Sequence, residues 1–264
     1  MSLPSDNPVL DVRGLVFPAD GSVLRQVHLA VGEGETVAVL GPQGAGKSVL
    51  RACLAGELDS AGGTVWTNGK PFHLMPPEAK RAFRLRHYGL VYQDTVFLPE
   101  LTLADNVALP LRFAGVGAAR ARRKALTWLA RFEIAEAADA RLTGLPLDMV
   151  RRAALARAMV NDPLLVLADE PFAGLPSQSA DMLGRVLNSI ALSHGTAVLL
   201  FTDDPATAAR CQRTVDLVAG RIAAGPVPSA AVTPAAPAAP SASVGAPAPV
   251  AVSTAGPDRV KAAR

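Results

Sequence analysis

Cysteine is scarce in this chain: Cys53 and Cys211 are the only two among 264 residues. Neither has a metal-binding spacing and both sit in apolar segments, which excludes a disulfide framework and fits reduced core thiols of a cytosolic protein. Aromatics are equally thin at 5%, so nothing resembles a platform on which nucleic-acid bases could stack. No apolar run reaches bilayer length; Leu164-Leu165-Val166-Leu167 is typical of the short ones. The opening stretch, MSLPSDNPVLDV, lacks the charged-then-apolar pattern of a secretory signal. Any membrane role is therefore expected to run through a partner. Charge of one sign does not dominate either, with 26 Lys and Arg against 23 Asp and Glu. The densest basic stretch, Arg120, Arg122, Arg123 and Lys124, has the spacing of a solvated helix face, and nucleic acid is not an expected partner.

What the chain does have is apolar residues, at 50%, enough for one large core or two small ones. The body runs from about residue 7 to 225. From 226 to 257 the composition collapses to Ala, Pro, Ser, Val and Gly, with a short basic end at 258–264. Such a stretch has no period that could bury a face, so a disordered, semi-extended tail is expected over 226–264, with a docking peptide as the alternative. Residues 9–17 and 23–31 alternate like an antiparallel β layer, and the stretch 63–70 reads as a hairpin around Asn68-Gly69. Residues 102–159 are dominated by helical patterns. The runs 164–168 and 197–201 are continuous and apolar, as parallel strands covered on both faces require.

The strongest chemical signal is Gly41-Pro42-Gln43-Gly44-Ala45-Gly46-Lys47-Ser48, a full match to GxxxxGK[ST]. It follows the apolar run Thr36-Val37-Ala38-Val39-Leu40 and precedes Val49-Leu50-Arg51-Ala52-Cys53-Leu54, which reads as a helix. Strand, loop and helix in that order form a phosphate cradle. The glycines let successive N–H groups turn inward, and the helix start adds orphan donors and its positive dipole end. Lys47 is expected on the β- and γ-phosphates of a nucleoside triphosphate and the Ser48 hydroxyl on Mg²⁺, with Val49 next in the cradle. Downstream, the run 164–168 ends in Asp169-Glu170. The first carboxylate is expected to help hold Mg²⁺, the second to polarise the attacking water as general base.

Residues 41–48, Leu90-Val91-Tyr92-Gln93, Arg152-Ala153-Ala154-Leu155-Ala156-Arg157-Ala158 and Leu167-Ala168-Asp169-Glu170-Pro171-Phe172 together resemble the ATP-binding subunits of ABC transporters. More narrowly, residues 93–111, 151–158 and 169–174 are similar to Mla-type (maintenance of lipid asymmetry) phospholipid transporters. The resemblance implies a P-loop ATPase core of α/β class with an antiparallel β layer and an inserted helical subdomain at about 100–160, the whole spanning residues 1–225. It implies ATP and Mg²⁺ as cofactors, and Gln93 as a residue that contacts the metal or lytic water and relays nucleotide state. It implies partners too: a homodimer or heterodimer of ATP-binding subunits, docked on permease subunits at the cytoplasmic face of the inner membrane.

Four positions depart from the family pattern. The place of the LSGGQ-like signature, counted back from a helix read as 152–159, is taken by Leu145-Pro146-Leu147-Asp148-Met149. Pro146 lacks both hydroxyl and N–H, Leu147 and Asp148 obstruct close backbone approach, and Asp148 brings a like charge toward phosphate. Leu142-Thr143-Gly144 resembles a signature fragment but lies too early. Asp203 stands where the switch histidine belongs, an acceptor in place of a donor. Pro176 replaces the D-loop aspartate, and Val49 a hydroxyl after the P-loop lysine. Each lost donor is expected to cost on the order of 10²–10³ in rate. ATP binding is thus expected to survive better than hydrolysis, with a regulatory or scaffolding pseudo-ATPase as the alternative.

Overall fold

The computed structural model describes residues 8–94 and 96–223; the Ala/Pro-rich stretch and its basic end lie outside the described residues. Two sheets organise the body. Strands β1 (Leu10–Phe17), β2 (Leu24–Val31), β4 (Gly62–Thr67) and β5 (Lys70–Pro71) form an antiparallel layer in the order β2-β1-β4-β5. The β4–β5 connection is the Asn-Gly turn anticipated from sequence, with both residues at positive φ (Asn68 48°, Gly69 72°). Those angles match the twist of the flanking strands.

The second sheet has six strands, in the order β10-β9-β3-β8-β7-β6. Here β3 is Thr36–Leu40, β6 Tyr88–Val91, β7 Leu165–Asp169, β8 Ala197–Thr202, β9 Arg213–Val218 and β10 Arg221–Ala223. From β9 to β6 all pairings are parallel, and every residue of β7 and β8 is buried. Alternation along these strands feeds two cores. Leu165, Leu167, Leu199 and Phe201 face a cluster shared with the antiparallel layer, whereas Val166, Ala168, Val198 and Leu200 face the helical side. Both faces being covered explains why the strands read as unbroken apolar runs.

Between β6 and β7 lies the helical insert: α3 (Leu103–Phe113), α4 (Ala118–Arg131) and α5 (Leu147–Met159). It packs around Val107, Leu111, Trp128, Leu129, Phe132 and Leu155. Thr102 caps α3 by accepting from the Asp105 N–H at 3.2 Å while its hydroxyl donates to Asp105 at 2.7 Å. Fully buried Asn106 pins the preceding loop, accepting from Leu98 N–H at 2.7 Å and donating to Leu98 O at 2.9 Å. On α4, Arg120 and Arg123 are exposed, while Arg122 pairs with Asp105 and Asp139, and Lys124 with Asp162. The remaining helices are α1 (Lys47–Leu54), α2 (Pro77–His87), α6 (Ser177–His194) and the short α7 (Pro205–Ala208). Among the described residues, no helix is long and apolar enough to cross a membrane.

Cys53 is buried and Cys211 half-buried, both free. Burial pushes the Cys53 thiol up to about 11 and that of Cys211 to about 12, as for inert core thiols.

Candidate functional site: a phosphate cleft at the strand ends

Strands β3, β7 and β8 are parallel neighbours, so their C-terminal ends open on one edge of the sheet, where α/β folds bind ligands. The loop 41–46 leaves β3, Asp169 ends β7 with Glu170 just beyond, and Thr202 ends β8 with Asp203 just beyond. Two backbone bonds lock this edge: Gly41 N–H to Thr202 O at 3.1 Å and Glu170 N–H to Phe201 O at 2.9 Å.

The loop needs its glycines. Gly44 (φ 81°) and Gly46 (φ 100°) occupy the left-handed region, and Gly46 caps α1 from there. A Cβ on Gly41 would come within 2.5 Å of Leu217 O, which holds the loop against β9. Helix α1 begins at Lys47, so its free N–H groups point into the loop's concavity. Lys47 is buried, and its ammonium donates to Gly41 O at 2.7 Å and Pro42 O at 3.2 Å, bridging the loop mouth.

The cleft beside this loop encloses about 330 Å³. Gln43, Gly44, Gly46, Lys47, Ser48 and Val49 line one wall, Gln93, Asp169 and Glu170 the other, and Asp203 the rim. Gly41, Pro42 and Ala45 shape the loop from behind without lining it. The sequence-derived set is thus gathered in one place, although Gln93 lies far from the loop in the chain. Gln93 and Asp169 also border a second, 480 Å³ cavity with Tyr92, Val96 and Arg157.

Glu170 sits at positive φ (45°), just past the end of β7. Its Oε2 accepts from the Thr202 hydroxyl and its Oε1 from the Asp203 N–H, each at 2.8 Å. Burial raises the Glu170 carboxyl above the ordinary range, opposed by those two hydrogen bonds. The orientation expected of a switch histidine is here supplied in part by Thr202 and the Asp203 backbone. The Asp203 side chain itself is exposed on the rim. Asp204 is turned to other work, capping α7 through Ala206 N–H at 3.0 Å and Thr207 N–H at 2.9 Å.

Three arginines escaped the sequence reading. Arg51 is buried on α1, with Nε 3.4 Å from Asp169 Oδ2, Nη1 2.9 Å from Glu57 Oε2 and its guanidinium 4.7 Å over the Tyr92 ring. Its signal was available: a lone charge in an apolar helix, on the face of Lys47 and Ser48 one turn later. Arg151 and Arg157 of α5 hold the loop after β6, donating to Gln93 O and Val96 O, each at 2.7 Å. They tie the segment bearing Gln93 to the helical insert.

Helix α5 begins at Leu147 rather than at Arg152, so residues 147–149 are its first turn, with Pro146 as N-cap and no side-chain cap bond. Proline at this point starts a helix instead of interrupting one. Asp148 does not reach outward: its Oδ2 accepts from Arg152 Nε at 2.7 Å, while Oδ1 is buried without a partner. Leu147 stays 45% exposed, with its Cδ2 beside the loop before α6, where a Cβ on Gly174 would lie 2.9 Å away. Pro176 is the N-cap of α6 in the same manner.

Ser48, Gln93 and Asp169 present hydroxyl, amide and carboxylate oxygens to one cleft, a hard donor set that suits Mg²⁺. Among the described residues no group of three or more His, Cys, Asp or Glu gathers to hold a metal. Mg²⁺ would therefore be held jointly by these oxygens and by the phosphates of a nucleotide.

The ABC transporter family model matches residues 24–173, from β2 through the end of β7 and just beyond. An ATP-binding protein of an ABC transporter from Escherichia coli K12, YbbA, described as uncharacterized, is 37% identical over 201 residues, covering 76% of this chain and 88% of its own length. LolD of Paramagnetospirillum magneticum, the ATP-binding protein of a lipoprotein-releasing system, is 38% identical over 202 residues, covering 76% and 89%. Among solved structures, the dimeric ATP-binding cassette MJ0796, bound to ADP and Pi in a post-hydrolysis state, superposes with a TM-score of 0.72 at 26% identity, covering 81% of this chain and 96% of that one. With a phosphate loop, two strand-end carboxylates and a helical insert in the arrangement of these cassettes, the chain belongs to the ABC transporter family as an ATP-binding subunit with the P-loop ATPase fold.

Proposed function

We propose that this chain binds Mg²⁺-ATP through Gly41, Pro42, Gln43, Gly44, Ala45, Gly46, Lys47, Ser48 and Val49, and hydrolyses it slowly with Glu170 as general base. Gln93 and Asp169 complete the site. The observation that carries this reading is the single cleft joining Lys47, Ser48, Gln93, Asp169 and Glu170. Mg²⁺ supplies charge neutralisation of the phosphates. The chain's own part is to hold the phosphates with Lys47 and backbone N–H groups, and to keep the Glu170 carboxylate aimed through Thr202 and Asp203.

Residues 1–225 form the ATP-binding domain in this reading, and 226–264 an extension beyond it. The subunit pairs with a second ATP-binding subunit and docks on a permease at the cytoplasmic face of the inner membrane. Its cargo class is lipid. The Mla-like segments at 93–111 and 151–158 favour phospholipid, and the lipoprotein-releasing relative supports a lipid-bearing cargo more broadly. Phosphate release by the full chain with its permease tests the assignment. Wild type should exceed Glu170→Gln by about 10²-fold or more, and stimulation by phospholipid in the membrane would support the cargo class. Absence of any Glu170-dependent turnover would overturn the enzyme reading.

That outcome would favour a second reading, a nucleotide-binding pseudo-ATPase with a regulatory or scaffolding role. Its specific support is the first turn of α5, where Asp148 is paired with Arg152 and Leu147 stands exposed in place of a glycine.

A further inference from the structure

A charged side chain placed on the buried face of α1 is costly unless its partners repay desolvation. Arg51 has three: Asp169, Glu57 and the Tyr92 ring. The pairing is not symmetrical: two carboxylates share one guanidinium, the Asp169 side buried with Arg51 (6% and 9% exposed) and the Glu57 side open to solvent. Tyr92 is fastened into the same cluster by donating its hydroxyl to Glu57. The Tyr92 hydroxyl is pushed up to about 12, chiefly by burial, which keeps it a donor. The guanidinium therefore joins three pieces of the site: the helix after the phosphate loop, the end of β7, and the residue immediately before Gln93.

Those are the pieces a divalent ion would otherwise draw together, since Ser48, Gln93 and Asp169 are its expected oxygen donors. We propose that Arg51 is a built-in cation that holds Asp169 and the Tyr92–Gln93 segment in place without metal, so that nucleotide binding by this chain is only weakly coupled to Mg²⁺. This inference rests on the nucleotide-binding reading above. Two effects act in the same direction. Arg51 shares the Asp169 carboxylate and adds like charge beside the ion, which weakens the metal's contribution. It also keeps Asp169 and the Tyr92–Gln93 segment assembled beside the cleft when metal is missing, which strengthens metal-free binding. Arg51 touches neither phosphate nor water in this role; it is a positioning residue.

Calorimetric titration of the full chain with the non-hydrolysable analogue AMP-PNP, in excess MgCl₂ and then in excess EDTA, tests the idea. Wild type should show affinities within about fivefold of each other, the low end of coupling between two ligands. Arg51→Met should raise the ratio by about tenfold, mainly by weakening binding in EDTA. Because Met leaves Glu57 and Asp169 without their shared cation, the double variant Arg51→Met with Glu57→Gln serves as the companion that removes the Glu57 charge as well. Arg51→Lys should lie between wild type and Arg51→Met, since it keeps the charge but cannot bridge both carboxylates. A wild-type ratio well above fivefold, or folded Arg51→Met with an unchanged ratio, overturns the proposal while leaving nucleotide binding intact. No AMP-PNP binding in either condition overturns both readings. If neither variant folds, the wild-type ratio decides alone.

Discussion

On the phosphate-gripping side, the functional groups stand on short loops at the ends of buried parallel strands or on the first turn of α1, and the chain satisfies its own geometry there. Gly44 and Gly46 take the backbone angles the loop demands, Lys47 bridges its mouth, and Glu170 is held at both oxygens. The positions that the family resemblance assigns to closure over the γ-phosphate lie apart from the cleft lining, on the first turn of α5 and at the start of α6. Asp148 pairs with Arg152, Leu147 is an exposed aliphatic beside Gly174, and Pro146 and Pro176 are helix caps with no N–H to give. The contrast separates two tasks. Gripping needs only local backbone and one lysine, all from one chain. Accelerating hydrolysis needs preorganised donors aimed at developing charge, and these are the groups in short supply.

The largest expected effect comes from rebuilding the second side. The triple change Pro146→Ser, Leu147→Gly and Asp148→Gly returns hydroxyl and close backbone approach, and should raise phosphate release by about 10²–10³-fold. Affinity for AMP-PNP should hardly move. Breaking the Asp148–Arg152 pair has a cost, because Arg152 is buried and its remaining partners are Phe132 O at 3.0 Å, Glu133 at 3.4 Å and Met182 Sδ at 3.8 Å. A lower melting temperature with higher turnover would sharpen the contrast; unchanged turnover in a folded variant would break it.

The converse test attacks the first side. Lys47→Ala removes a buried ammonium and its bonds to Gly41 O and Pro42 O, the latter keeping Ala45 N–H at 3.1 Å. A charged hydrogen bond is worth about 1.5–3 kcal/mol, so AMP-PNP affinity should fall by about 10–100-fold in calorimetry. A loss below about threefold would mean that backbone donors alone grip the phosphates.

A smaller effect is expected at Thr202→Val, which deletes the hydroxyl that donates to Glu170 Oε2 while keeping a β-branched residue at the end of β8. One neutral donor to a charged acceptor suggests a turnover loss of about tenfold with binding unchanged. Losing the donor also raises the Glu170 carboxyl further. The pH profile of turnover should therefore shift its acidic limb to higher pH relative to wild type. An unshifted limb would assign Thr202 a purely structural role.

Much of this arrangement was legible in the sequence because it rests on local signals. The runs 36–40, 164–168 and 197–201 became the buried strands β3, β7 and β8, and Asn68-Gly69 became the β4–β5 turn, because periodicity and turn chemistry act within a few residues. Contacts between distant segments were hidden. Arg51 meets Glu57, Tyr92 and Asp169 only after β7 is laid beside α1. The start of α5 was misjudged because Pro146 followed by Leu147 carries no polar cap, so the helix starts without the usual marker. The direction of Asp148 followed from that start: with residues 147–149 helical, Arg152 lies one turn on and captures the carboxylate.

The smallest effect is also the finest probe of the gripping side. Val49 lines the cleft and packs, half-buried, against the core shared with the antiparallel layer. Val49→Thr offers phosphate one more hydroxyl, worth about 0.5–1.5 kcal/mol. It also places a hydroxyl against apolar neighbours, which makes the swap unfavourable despite similar shape. The two terms nearly cancel, so AMP-PNP affinity should change by about threefold or less, with a slightly lower melting temperature. A much larger gain would mean that the loop's N–H groups and Lys47 leave the phosphates under-satisfied. The phosphate loop would then be as incomplete as the first turn of α5, and the division of labour between the two regions would not hold.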